Sequence, residues 1–156
     1  MALQTVAKLV PTAKDLGVKL SVHNPSSRYE IFQQMNCSWQ WDWCCSRTDI
    51  RLQERSCLRN FPENIILPPG RSYHTALARL IFSRVKPGRA TFRFGLIRLR
   101  SDFTSEEIER LYRSSQQQGH LLNNGGAIPS HSKPQREIIW GNSVSVLIRK
   151  DWPVQW

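Results

Sequence analysis

The sequence predicts a mainly β protein: an antiparallel β-sandwich with one α-helix carried in an insertion before the last strands. Three observations predict it. Short apolar segments alternate with polar residues at period two. Pro-Gly and Asn/Ser-rich turn signals punctuate them. One helical signature occurs, and it comes late in the chain. The 156 residues suit one domain. The chain divides into an N-terminal arm over 1–17, a domain over 18–150 with a helix-and-loop insertion at 102–136, and a tail over 151–156.

Taken in order, Val18, Leu20 and Val22 alternate with Lys19 and Ser21 and run into the turn residues 23–27, the pattern of a half-buried strand. Tyr29 to Gln34 is expected to be the next strand, with a short one at Ile50 to Gln53 and another at Asn64 to Leu67. Ser72 to Phe82 fits either a helical face or a strand. The Pro-Gly pairs at both ends, Pro69-Gly70 and Pro87-Gly88, favour one long strand. In Ala90 to Arg100, Phe92 and Phe94 share one face, and a bulge at Gly95-Leu96 would bring Ile97 and Leu99 back to it. Arg93, Arg98 and Arg100 would then form a solvent-facing stripe. Thr104 to Gln118 reads as a helix, with Thr104 and Glu107 forming a capping box and Ile108, Leu111 and Tyr112 its apolar face. Residues 119–136 are expected to be a long loop. Ile138 to Trp140 and Ser143 to Arg149 read as strands around a turn or kink at Gly141-Asn142.

All four cysteines fall between Met35 and Cys57. An even number so closely spaced suits a disulfide framework in an oxidising compartment. A Cys37–Cys57 bond would close a loop around three tryptophans and leave Cys44 and Cys45 free. Crosswise pairing, with Cys37 and Cys57 each bonded to one of the vicinal pair, is the competing arrangement. Free thiols are a third. A zinc site is disfavoured because the spacings are not those of paired C-x₂₋₄-C ligands.

Spacing by two puts Trp39, Trp41 and Trp43 on one face if the segment is extended. They would pack over the cystine, or present an aromatic platform to a partner. Trp152 and Trp156 sit in the tail DWPVQW, which would dock on its own domain or on a neighbouring subunit.

The formal net charge is +10, and arginine supplies 16 of the 22 basic residues. That balance favours polyanions as partners, with Arg93, Arg98 and Arg100 the candidate contacts, unless the excess only solubilises the fold. No nucleic-acid motif accompanies it. No apolar run approaches the roughly 18 residues of a membrane span, and MALQTVAKLVPTAKDLG does not read as a secretory signal. Catalysis is not expected. No nucleophile elbow, zinc-protease or P-loop motif occurs. His23, His74, His120 and His131 are scattered, and Glu106, Glu107 and Glu109 serve the helix start. No cofactor is implied.

Several stretches together resemble a known family: Val18 to Asn24 as V-x-L-x-V-x-N, Cys37-Ser38-Trp39 with Trp43 and Asp49, Cys57 with Asn60, Ile65 to Tyr73 as I-x-L-P-P-G-x-S-Y, Pro87 to Gly95, and Ile139 to Val146. The pattern is similar to immunoglobulin-like β-sandwich domains of bacterial exported and envelope proteins, over roughly 18–148. The resemblance implies an immunoglobulin-like sandwich and assigns no activity. It departs in the length of the 102–136 excursion and in the lack of a recognisable signal peptide. The expected function is a non-enzymatic structural or interaction module of the cell envelope or an extracellular assembly. It would contact a protein partner or a second copy through aromatic and basic surface. The alternative is a basic nucleic-acid- or polyanion-binding β domain.

Overall fold

The computed structural model describes residues 2–117 and 127–152. Gly119, His120 and the centre of the predicted loop lie outside the described residues, as does Trp156. The fold is the predicted class. Its strands are β1 (Gln4–Pro11), β2 (Leu16–His23), β3 (Glu30–Met35), β4 (Trp43–Cys45), β5 (Ile50–Leu52), β6 (Pro62–Leu67), β7 (Ser72–His74), β8 (Ala78–Phe82), β9 (Gly88–Arg100) and β10 (Gln135–Ile148), with helix α1 (Ser105–Gln117) between the last two. All pairings are antiparallel. One layer runs β1-β2-β8-β5, with β7 also on β2. Opposite lie the β10-β9-β4 sheet and the β3-β6 ribbon. The core fills the space between, with Val18, Leu20 and Val22 of β2 and Leu80 and Phe82 of β8 meeting Phe92, Phe94 and Leu96 of β9. No helix among the described residues is long and apolar enough to cross a membrane.

Four local expectations need correction. The 1–17 arm is mostly strand: β1 pairs with β2 from Gln4↔His23 to Pro11↔Leu16. Thr5 and Ala7 point inward, and Pro11 ends the strand, where a missing N–H costs little. The Thr12 hydroxyl, donating to Asp15 Oδ1 at 2.6 Å, closes the hairpin.

Residues 72–82 are not one strand. Lys19 and Leu20 of β2 face Thr75, Ala76 and Leu77, one residue too many, so the ladder breaks into β7 and β8. The buried Thr75 repairs the break. Its N–H donates to the Leu20 carbonyl and its hydroxyl accepts the Leu20 N–H, at 2.9 and 3.1 Å.

The bulge expected at Gly95-Leu96 does not exist. β9 alternates without interruption, so Ala90, Phe92, Phe94, Leu96 and Arg98 all face inward. The irregularity lies in its partner, between Trp140 and Ser143 of β10. The kink read at Gly141-Asn142 is this bulge inside one continuous strand. It carries β10 against β1. Asn142 Oδ1 accepts the Ala7 N–H at 2.8 Å, and Thr5 Oγ1 donates to the Ile139 carbonyl at 3.0 Å. A Cβ on Gly141 would stand 2.8 Å from the Thr5 carbonyl oxygen, so the approach needs glycine.

The Trp39–Asp42 segment, finally, is a 3₁₀ turn and not extended.

The capping box forms as predicted. The Thr104 N–H donates to Glu107 Oε2 at 2.7 Å, and the Glu107 N–H to Thr104 Oγ1 at 3.2 Å. Ile108 anchors α1 in a second small core with Ile31 and Ile128. Asn24, fully buried at the end of β2, donates to the carbonyls of Arg28 at 2.7 Å and Leu67 at 2.9 Å, which ties the turn after β2 to the end of β6.

Candidate functional site

Cys37 and Cys57 are disulfide-bonded, and Cys44 and Cys45 are free thiols. The bond closes the loop that carries the 3₁₀ turn. Asn60 Oδ1 accepts the Ser38 N–H at 3.1 Å, and the Ser38 hydroxyl donates to the Arg55 carbonyl at 3.0 Å. The turn separates the tryptophans. Trp39 and Trp43 enter the core, while Trp41 is 55% exposed. Trp39 is therefore packing and not a contact residue. Of the two places expected for Trp152, its own domain or a neighbouring subunit, the structure shows the first. Trp152 is buried and stacks on Phe82 with centroids 5.7 Å apart, so the tail up to that residue docks on its own domain.

Burial pushes both free thiols above their ordinary range, which leaves them protonated and weakly nucleophilic at neutral pH. Among the described residues no three His, Cys, Asp or Glu side chains converge as a metal site. A cavity of about 730 Å³ opens beside the β1–β2 turn, but its Asp15 and Arg79 pair with each other at 2.7 Å and no Cys, His or Ser lines it.

Asp42 lies at the end of the 3₁₀ turn and accepts the Met35 N–H at 2.7 Å. Burial nevertheless pushes its carboxyl up from 3.8 to about 6, against that bond and the Arg136 charge. A carboxyl raised in the fold stabilises it below the unfolded pKa, and that contribution is lost as pH rises through about 6. Asp42→Asn is expected to raise stability at pH 7.5 by about 1 kcal/mol, after allowing for partial solvation. The gain should fade towards pH 4. Urea unfolding at both pH values checks this, and a loss of stability at pH 7.5 would contradict it.

The predicted arginine stripe is broken by its middle member. Because β9 does not bulge, Arg98 points inward and is only 6% exposed. Its Nη2 donates to Glu30 Oε2 and to the Ile31 carbonyl, both at 2.8 Å. Nε also reaches that carbonyl at 3.1 Å, and Nη1 lies 3.5 Å from Glu137 Oε1. Arg98 bolts the β3-β6 ribbon to β9 and is not free for a polyanion. Arg93 and Arg100 are exposed but lie apart, with Trp140 beside the first and a cleft beside the second.

The outer face of β4-β9-β10 is the feature that sequence reading missed. Cys44, Gly95 and Trp140 pair across its three strands. Gly95 has no side chain, so the Trp140 and Ile138 side chains lie over its backbone. A Cβ there would meet Ile138 Cγ2 at 2.6 Å and Trp140 Cε3 at 2.9 Å. The Arg93 guanidinium sits 5.3 Å from the Trp140 ring centroid. Trp140, Ile138 and Leu147 remain 38, 45 and 64% exposed. Arg89, Arg93 and Arg136 are exposed on the same strands, whose single carboxylate, Glu137, turns to Arg98. The one signal that could have found this face was the pairing of a mid-strand glycine with a tryptophan. It is visible only once the β9–β10 register is known. Compared with known proteins, the chain matches no protein family, no curated protein and no solved structure.

Proposed function

We propose that this protein is a non-enzymatic interaction module of an oxidising compartment, the cell envelope or an extracellular assembly. In this reading it grips an acidic protein partner with the outer face of β4-β9-β10. The observation that carries the proposal is Trp140 laid over Gly95 with Arg93 against its ring. A large aromatic side chain held half in solvent, with Arg93 against its ring and the exposed Ile138 beside it over Gly95, has the composition of an interface hot spot. Arg89, Arg93 and Arg136 make the face cationic, which favours an acidic partner. A second copy fits poorly, since each chain carries a formal charge of +10. The Cys37–Cys57 bond supports the compartment, because such bonds persist where thiols are not kept reduced. The resemblance to immunoglobulin-like domains of exported proteins agrees with it.

The test is a photoreactive residue in place of Ile138, cross-linked in the native cells. One acidic protein should be captured, and Trp140→Ala should remove it, weakening its binding by about 2 kcal/mol, roughly thirtyfold. Arg93→Glu reverses an exposed charge without touching the core and should do the same. Equal cross-linking from exposed Lys19 on the opposite layer would overturn the reading.

A further inference from the structure

We infer that the basic cleft between Arg28 and Arg100 binds a small ligand through a phosphate or sulfate group. Two adjoining clefts, of about 370 and 410 Å³, share Arg28, Arg100, Ser101 and Phe103 as walls. Their sizes fall in the range of small-molecule sites. Arg28 comes from the turn after β2, Arg100 ends β9, and Lys133, which lines the second cleft, precedes β10. These residues are remote in sequence, and the fold brings them to one concavity.

The acids around the concavity are already engaged. Glu30 and Glu137 are paired with Arg98 at 2.8 and 3.5 Å. Asp102 accepts the Ser132 hydroxyl, the His131 N–H and the Ser130 hydroxyl, at 2.6, 2.6 and 2.8 Å. These donors hold its carboxyl well below the usual range, so it stays ionised, with each oxygen accepting at least one hydrogen bond. Arg28, Arg100 and Lys133 have no carboxylate partner among the described residues. Two guanidiniums facing one cleft repel each other. An oxyanion between them replaces that repulsion with charge-assisted hydrogen bonds from two planar forks.

The frame is already set. The Asp102 clamp fixes 130–132, Arg98 fixes the floor, and the capping box fixes the start of α1. Little ordering remains to be done when the ligand arrives. The half-buried Phe103, its ring 4.7 Å from that of His131, gives an apolar wall for the uncharged part of the ligand.

The full chain would be titrated with sodium phosphate at constant ionic strength and followed by amide NMR. Saturable shifts confined to residues near 28–30, 100–105 and 132–135 are expected. Arg28→Gln and Arg100→Gln should each weaken binding roughly tenfold. Both side chains are exposed, so neither change should unfold the protein. Arg93→Gln and Arg136→Gln, on the outer sheet face, should change nothing, which separates this site from the protein-binding face. Sulfate titrated in parallel separates the ligand types: a phosphate ester if phosphate binds tighter, a sulfate ester if sulfate does. Shifts that do not saturate, or equal weakening by Arg93→Gln, would overturn the site in favour of diffuse net charge.

Discussion

Arg98→Met is expected to destabilise the fold by about 3 kcal/mol, a large share of what a small domain has to lose. The cost has separate physical parts. The Ile31 carbonyl loses its two donors, Arg98 Nη2 and Nε, and an unsatisfied buried acceptor costs about 1–3 kcal/mol. Glu30 and Glu137 lose their counter-charge. Their side chains are 22 and 38% exposed, so water recovers part of that loss. The ribbon of β3 and β6 also loses its side-chain tie to β9. Arg98→Lys should recover little, because an ammonium cannot reach the carbonyl and the carboxylates with a planar fork. Glu30→Gln should cost less than either, since its amide oxygen can still accept. Urea unfolding of the three variants gives the ranking. A loss below about 1 kcal/mol for Arg98→Met would mean that the guanidinium only fills space.

Cys37→Ser is expected to cost about 3 kcal/mol, the loop entropy released by a bond spanning a separation of 20 residues. Without the bond, the stretch between Gln53, whose N–H donates to the Arg79 carbonyl, and Phe61, which bonds Asn36, keeps Asn60 on the Ser38 N–H and Ser38 on the Arg55 carbonyl, and Leu58 is already fully exposed. Proteolysis should therefore begin there, before the rest of the fold opens. Non-reduced peptide mapping should find Cys37 and Cys57 in one cross-linked pair, with Cys44 and Cys45 alkylated. A melting temperature unmoved by reductant and by the substitution would show that the bond constrains nothing the fold needs.

The features legible in the sequence were those whose cause is local. Thr104 and Glu107 specify a helix start by bonding each other across one turn. Val18, Leu20 and Val22 specify a buried strand face by their spacing alone. The errors arose where a distant partner decides. Plain alternation through β9 puts Arg98 inside. The preference for an arginine in water pointed instead to a bulge, because its partners, Glu30 and the Ile31 carbonyl, are remote in sequence. β1 read as an arm because Lys8 and Pro11 interrupt its apolar character, and its pairing is evident only beside β2. Trp41 turns outward because the chain makes a tight turn inside the disulfide loop, which a period-two reading cannot anticipate. The candidate binding face depends on the register of Gly95 against Trp140, and the cleft depends on three strand ends meeting.

The contact of Asn142 with Ala7 has a consequence for biosynthesis. The two residues are 135 positions apart, so a ribosome that has just finished the β1–β2 hairpin must translate almost everything else before the far side of this seam exists. At about 5–20 residues per second that delay is on the order of ten seconds. Throughout it, the outer edge of β1 offers backbone donors and acceptors to any other nascent strand. The seam between the first and last strands can therefore close only after β10 has been made, and until then the outer edge of β1 stays open.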